Sequence, residues 1–204
     1  MLVREKMTRD IITISVSDSV AKADKIMQQN NIHHLPVLSG SKLSGMLSKS
    51  DMECFKQNNK GANLDNFNVK DAVPAHQRLV TIVPDASIEQ AVMLLQNDKI
   101  GALPVMKENT MIGIITLTDV LNTFVDLLWA KRSRITVELG PEPGLIADIT
   151  SAISSFGVSI LRIVMFPQPE QNSFEALISL DTENIKPIVE KLREKGYLVS
   201  SYIN

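Results

Sequence analysis

Gly45, Ser48 and Asp51 follow one another at a spacing of three, and Gly113, Thr116 and Asp119 repeat that pattern. A glycine admits close approach of the backbone to a bound ring or sugar. An aspartate accepts hydrogen bonds from two adjacent hydroxyls of a ribose. A Ser or Thr at the start of a helix meets a phosphate or sugar oxygen, helped by free backbone N–H groups. The simpler reading is that Ser48-x-x-Asp51 and Thr116-x-x-Asp119 only cap their helices. Duplication of the whole pattern, each time after a Pro-Val strand, favours a pair of ligand clefts.

Other chemistry-bearing residues are sparse. His33 and His34 precede Leu35. Neighbours on a strand point to opposite faces, so the pair makes poor joint ligands for one metal ion. His76 stands alone, and no metal site is expected. One of the pair beside a phosphate is a workable role, since imidazole donates a hydrogen bond. Lys49 could add phosphate charge or be a solvated lysine. No G-x-S-x-G elbow, Walker lysine loop or G-x-G-x-x-G after a strand is present, and Cys54 lies on an amphipathic stretch. The sequence therefore predicts no catalysis. Gly140-Pro141-Glu142-Pro143-Gly144-Leu145 is a strand-to-helix turn with Pro143 at the first helical position, or a loop whose N–H groups bind a carboxylate.

The elements that position these residues come in duplicate. A shift of 68 places superposes Leu35-Pro36-Val37 on Leu103-Pro104-Val105, Ser19 on Ser87 and Asp51 on Asp119. Two copies of one unit imply a pseudo-symmetric pair. Each copy reads strand, helix, strand, strand, helix. Ser19 and Ser87 are the N-caps, and Val20, Ala23, Ile26 and Met27 recur at helical spacing. Pro36 and Pro104 are expected at a strand start or edge, because proline lacks a ladder donor. Residues 56–68 read as a linker, and Val120 to Ala130 as a buried helix. From Arg134 the order becomes βαββαβ, which fits a ferredoxin-like two-layer sandwich. The fold class is α/β, with an α+β C-terminal part.

Composition narrows the function classes. The 204 residues carry 21 basic and 23 acidic side chains, too even a balance for a nucleic-acid backbone. Lys131, Arg132 and Arg134 form the one dense basic run, read as a solvated linker. One cysteine permits no internal disulfide, which fits a cytoplasmic setting. No secretory signal or membrane span is evident.

Thr13 through Asp51 and Thr81 through Asp119 resemble two CBS (cystathionine β-synthase) motifs forming a Bateman module, with CBS domains at 1–60 and 69–130. Residues 134–204 resemble an ACT domain through Pro143-Gly144-Leu145 and Gly157-Val158-Ser159-Ile160. The combination is similar to the acetoin utilization protein B family. The resemblance implies an adenine nucleotide as regulatory ligand, such as AMP, ADP or ATP, with NAD(H) or S-adenosylmethionine as further candidates. It implies nucleotide contacts from Ile12, Thr13, Ile14, His33, His34, Pro36, Ser48 and Asp51. From the second copy it implies Val80, Thr81, Gly101, Ala102, Pro104, Thr116 and Asp119. Pro74 to Val80 departs from the family pattern, being two residues longer than Thr8 to Ile12. In the ACT part it implies a ligand loop at Glu142, Gly144 and Leu145, while Ser159 replaces the asparagine common in amino-acid-binding members.

The sequence thus predicts a non-catalytic regulatory protein that binds an adenine nucleotide, forms a homodimer and acts on a metabolic enzyme, without nucleic-acid or membrane partners. The alternatives are an amino-acid sensor working through the ACT part and a ligand-free assembly module.

Overall fold

The computed structural model describes residues 1–128 and 133–203, which form two compact units, Met1–Phe124 and Val125–Asn204. In the first unit, helix α1 (Val3–Lys6) precedes strand β1 (Ile14–Ser15), helix α2 (Val20–Gln29), strands β2 (His34–Ser39) and β3 (Lys42–Ser48), and helix α3 (Lys49–Asn58). Ser19 caps α2 by accepting from Lys22 N–H, as its position predicts. β1 runs parallel to β2, and β2 antiparallel to β3. The second copy follows with α4 (Val69–Ala72), α5 (Ile88–Asn97), β4 (Ala102–Lys107), β5 (Thr110–Thr116) and α6 (Leu117–Leu128). Both hairpins carry an irregularity at the same place, after Val37 and after Val105. The second copy has no full counterpart of β1, only a parallel bridge between Ile82 and Val105.

The two cores exchange their leading segments. Val3 and Met7 pack with Ile88, Leu103 and Ile115 of the second copy. Val69 and Ala72 pack with Val20, Leu35 and Leu47 of the first. Each copy is completed by the short helix preceding the other, so the halves are tied by apolar burial as well as by the chain.

Several local expectations are corrected. Pro36 lies inside β2, the middle strand of its sheet, and not at a start or edge, whereas Pro104 lies inside β4 but on an edge, as expected, because β4 and β5 form a two-stranded sheet. Met46, opposite Pro36, sends its N–H and C=O to the Gln77 side chain, so that pairing asks no donor of the proline. Much of the expected linker is ordered: Leu64–Asn66 form a 3-10 turn, and Phe67 packs edge-on to Phe55 at 5.3 Å. The predicted buried helix at Val120–Ala130 is amphipathic where described. Val120 and Thr123 are buried, while Leu121, Phe124 and Val125 are exposed. Ala130, Lys131 and Arg132 lie outside the described residues.

The second unit contains β6 (Arg134–Leu139), α7 (Leu145–Ser154), β7 (Ile160–Gln168), β8 (Ser173–Leu180), α8 (Lys186–Glu194) and β9 (Leu198–Ile203). The antiparallel sheet has the order β7-β8-β6-β9, the ferredoxin-like arrangement predicted from the βαββαβ sequence. Ile135, Val137, Ala176 and Ile178 from the sheet meet Ile149, Ile153, Ile188 and Leu192 from the helices in one core. Pro143 is not the first helical residue. Gly144, at φ 92°, is the N-cap, and after that left-handed turn the helix starts at Leu145, two residues later than expected. Among the described residues no helix is long and apolar enough to cross a membrane.

Candidate functional site

The two Ser/Thr-x-x-Asp segments sit where β3 turns into α3 and where β5 turns into α6. Both form reciprocal caps. Asp51 Oδ2 accepts from Ser48 N–H at 2.9 Å and from Ser48 Oγ at 2.5 Å, while Ser48 Oγ accepts from Asp51 N–H at 3.1 Å. Asp119 Oδ2 accepts from Thr116 N–H at 2.8 Å and Thr116 Oγ1 at 2.7 Å, and Thr116 Oγ1 accepts from Asp119 N–H at 3.2 Å. The capping reading is therefore correct. It does not use up the carboxylates, because both cap bonds fall on one oxygen. Among the described residues the other oxygen makes no hydrogen bond, and each Asp lines a cleft.

The clefts are built crosswise. The larger, about 600 Å³, takes Asp10, Ile11 and Ile12 with His33, His34 and Pro36 from the first copy, and Thr116 to Asp119 from the second. The smaller, about 270 Å³, takes Arg78, Leu79 and Val80 with Lys99 to Ala102 from the second copy, and Ser48, Ser50 and Asp51 from the first. Each has an apolar wall from one copy and a hydroxyl–carboxylate pair from the other. The larger falls in the range typical of small-molecule sites, about 300–1,000 Å³, and the smaller just below it. Ile12 and Val80 hold matching positions, so the extra length before Val80 does not displace the wall.

Several candidates sit elsewhere. Ile14 is in the core of the first copy, and Thr13 and Thr81 line neither cleft. Pro104 does not line the small cleft; its carbonyl accepts from Ile82 N–H at 3.0 Å. Lys49 lines instead a separate hollow with Asp24, Glu53 and Lys56, which adjoins the larger cleft through Asn31, Ile32 and His33. Gly45 and Gly113 serve the fold rather than a ligand. A Cβ on Gly113 would lie 2.5 Å from Met7 Sδ, and one on Gly45 3.1 Å from Val73 Cγ1. The space that glycine opens is filled by the chain itself.

Among the described residues His34 is the one titratable side chain shared by both clefts. It occupies the space beside Gly101, where a Cβ would come within 2.5 Å of the imidazole. Burial pushes its pKa down, nearby His33 lowers it further, and Asp51 partly opposes both. His34 is therefore held toward the neutral form, able to donate one hydrogen bond and accept another. Among the described residues no cluster of three or more His, Cys, Asp or Glu is placed to hold a metal ion. Cys54 is exposed.

In the second unit a cavity of about 450 Å³ is lined by Glu138, Gly140, Leu145, Lys195 and Tyr197. Of the expected loop residues Leu145 reaches it, whereas Glu142 and Gly144 do not. Asp148 accepts from Tyr197 Oη at 2.7 Å and pairs with Lys195, tying α7 to the turn before β9. The Lys195 and Tyr197 hydrogen bonds lower the Asp148 pKa, and burial plus that bond raise Tyr197 to about 12.

A duplicated helix–hairpin–helix unit with two crosswise clefts defines a paired module. The CBS domain signature matches residues 3–52 and 69–126, more than half of the chain. This protein belongs to the CBS domain family. It is 31% identical over 144 residues to an uncharacterized protein of Methanocaldococcus jannaschii, covering 65% of this chain and 34% of that protein. It is 35% identical to inosine-5'-monophosphate dehydrogenase of Korarchaeum cryptofilum, covering 55% of this chain and 22% of the enzyme. The chain thus spans about a third of the first relative and under a quarter of the second. Among solved structures, a Vibrio cholerae protein assigned to acetoin utilization superposes with a TM-score of 0.55 at 25% identity, covering 63% of this chain and 93% of that one. The CBS pair of a Methanocaldococcus jannaschii protein, solved with 5'-methylthioadenosine and S-adenosyl-L-methionine, superposes at 0.54 with 23% identity, covering 61% and 95%.

Proposed function

We propose that this chain is a non-catalytic regulatory protein whose paired clefts bind an adenosine-containing ligand, with AMP, ADP, ATP, NAD(H) and S-adenosylmethionine as the candidate set. The carrying observation is the matched pair of capping aspartates, each with one oxygen committed to its helix and one uncommitted in a cleft opposite an apolar wall. That combination suits a sugar edge against the carboxylate and a flat base against Ile11 and Ile12, or Leu79 and Val80. A CBS pair of this fold holding two adenosine ligands supports the reading. Because each cleft takes residues from both copies, a ligand that prefers one arrangement of the copies would shift their orientation. We assign the C-terminal unit, as an ACT-type domain, to transmitting that change and to homodimerisation through the sheet edges β7 and β9. A regulated metabolic enzyme is the expected partner, and the likeness to a protein assigned to acetoin utilization makes acetoin catabolism the first pathway to test.

The second reading, an amino-acid sensor, is favoured by one feature of the C-terminal cavity: its lining includes opposite charges, Glu138 and the Asp148-paired Lys195, as a zwitterion requires. Titration calorimetry of the purified chain against these five adenosine ligands decides between them, with Asp51→Asn and Asp119→Asn as controls. Asparagine keeps an acceptor for the cap and removes the charge. Saturable binding lost in one variant supports the nucleotide reading and identifies the occupied cleft. No binding of any of the five, together with saturable amino-acid binding, replaces it with the second.

A further inference from the structure

We propose that the two clefts sort adenosine ligands by charge. The small cleft takes a phosphorylated nucleotide, and the large cleft takes an adenosine derivative without phosphate, neutral or cationic. This rests on the reading above that the clefts hold adenosine ligands, and deepens it by naming the class for each.

The warrant is a pair of charge differences at matching positions. At the repeat offset of 68, Asp10 corresponds to Arg78 and Asn31 to Lys99. Asp10 and Asn31 line the large cleft, and Arg78 and Lys99 line the small one. The match is structural as well as numerical. Asn31 and Lys99 share a left-handed backbone, at φ 50° and 52°, directly after equivalent helices. The large cleft is therefore lined by two carboxylates, Asp10 and Asp119, with no Lys or Arg among its described lining. The small cleft is lined by two cations and one carboxylate, Asp51. Both cations are exposed, and the only ion pair described for them, Arg78 to Asp98 at 3.5 Å, leaves the Arg78 side chain 85% exposed.

The physics has opposite signs in the two places. A phosphate in the large cleft would face two negative charges with no Lys or Arg among the described lining, which costs free energy in a site partly shielded from water. A neutral nucleoside avoids that cost, and a sulfonium or ammonium gains from it. In the small cleft, of about 270 Å³, the nucleoside fills the space and the phosphate reaches the rim. There Arg78 and Lys99 can make charge-assisted hydrogen bonds.

The test is titration calorimetry on the full chain at low and high salt with AMP, 5'-methylthioadenosine and S-adenosylmethionine as probes. The double variant Arg78→Asp/Lys99→Asn gives the small cleft the charges of the large one, and its exposed positions spare the fold. We expect AMP affinity to fall about tenfold or more and to lose its salt dependence, with 5'-methylthioadenosine binding unchanged. Asp119→Asn should weaken 5'-methylthioadenosine and spare AMP. The reciprocal Asp10→Arg/Asn31→Lys should create AMP binding that survives Asp51→Asn. AMP affinity indifferent to Arg78→Asp/Lys99→Asn, or AMP binding abolished by Asp119→Asn alone, overturns the sorting and leaves the adenosine-sensor reading standing. No binding of any adenosine compound overturns both.

Discussion

The two CBS copies solve one structural problem with different chemistry. The middle of β3 and the middle of β5 each present a backbone N–H and C=O on their free side, at Met46 and Ile114. At Ile114 the main chain of Thr8 answers both, at 2.9 and 3.0 Å. At Met46 the side-chain amide of Gln77 does the same work, with Oε1 accepting at 2.8 Å and Nε2 donating at 2.7 Å. A primary amide carries the donor and acceptor of a peptide group, so a side chain stands in for a strand. The lesson is that pseudo-symmetry here preserves hydrogen-bond satisfaction rather than residue identity. A duplicated fold can then diverge in one half while the other is held by backbone alone.

The comparison is broken most sharply at the glycines beside those contacts. Gly113 faces Met7 and the Thr8 carbonyl oxygen, the latter 3.1 Å from a built Cβ. Gly45 faces the Val73 side chain at 3.1 Å and Gln77 Oε1 at 3.4 Å. Gly113→Ala must displace backbone, with a destabilisation near the top of the about 1–3 kcal/mol usual for overpacking. Gly45→Ala meets only side chains, which can yield, and should fall near the bottom of that range. Urea unfolding of the two variants ranks them. Equal costs would show that the two crossings are mechanically equivalent.

A smaller effect is expected at the amide pair itself. Gln77→Ala strips the partner from two backbone groups of buried Met46, a loss of about 1–2 kcal/mol after water recovers part of it. Thr8→Ala leaves the matching bonds intact, because they belong to the main chain. The same unfolding measurement separates the pair. A Thr8→Ala cost as large as that of Gln77→Ala would mean that the Thr8 side chain contributes something the hydrogen bonds do not account for.

Much of this arrangement was legible in the sequence. The repeat offset located both hairpins, both caps and both carboxylates, because side-chain identity there is tied to local backbone geometry. The ferredoxin-like order followed from hydrophobic periodicity. Illegible were the contacts in which one residue type imitates another. Gln77 lies one place out of register with Thr8, so no alignment of letters pairs them. Assigning Gly45 and Gly113 to a ligand failed for a related reason: glycine reports that something comes close, not whether it is ligand or chain. The exchange of α1 and α4 between cores was hidden because two short helices carry too few apolar residues to show which core they join. Asp10 against Arg78 was readable at the same offset, but lies just before the stretch where the copies share residues.

The gentlest way to separate the copies uses pH. His34 stands against Gly101, and its counterpart at the repeat offset is Ala102, which does not titrate. Burial first, then His33, hold the folded pKa of His34 below 6.5, and Asp51 only partly compensates. Above 6.5 both folded and unfolded chains carry a neutral imidazole, and the full contribution is present. As pH falls through 6.5 the unfolded chain takes up a proton that the folded chain resists, so stability declines until the folded pKa is passed. Urea midpoints of the wild type at pH 7.5 and 5.5 should therefore differ by more than those of His34→Gln, which keeps a hydrogen-bonding group beside Gly101 but removes the titration. An unchanged difference in that variant would place the pH sensitivity elsewhere and leave the wall shared by the two clefts electrostatically inert. A reduced difference would make that wall the point where acidification reaches both clefts through one side chain, an asymmetry that the duplicated fold acquired at a single position of its repeat.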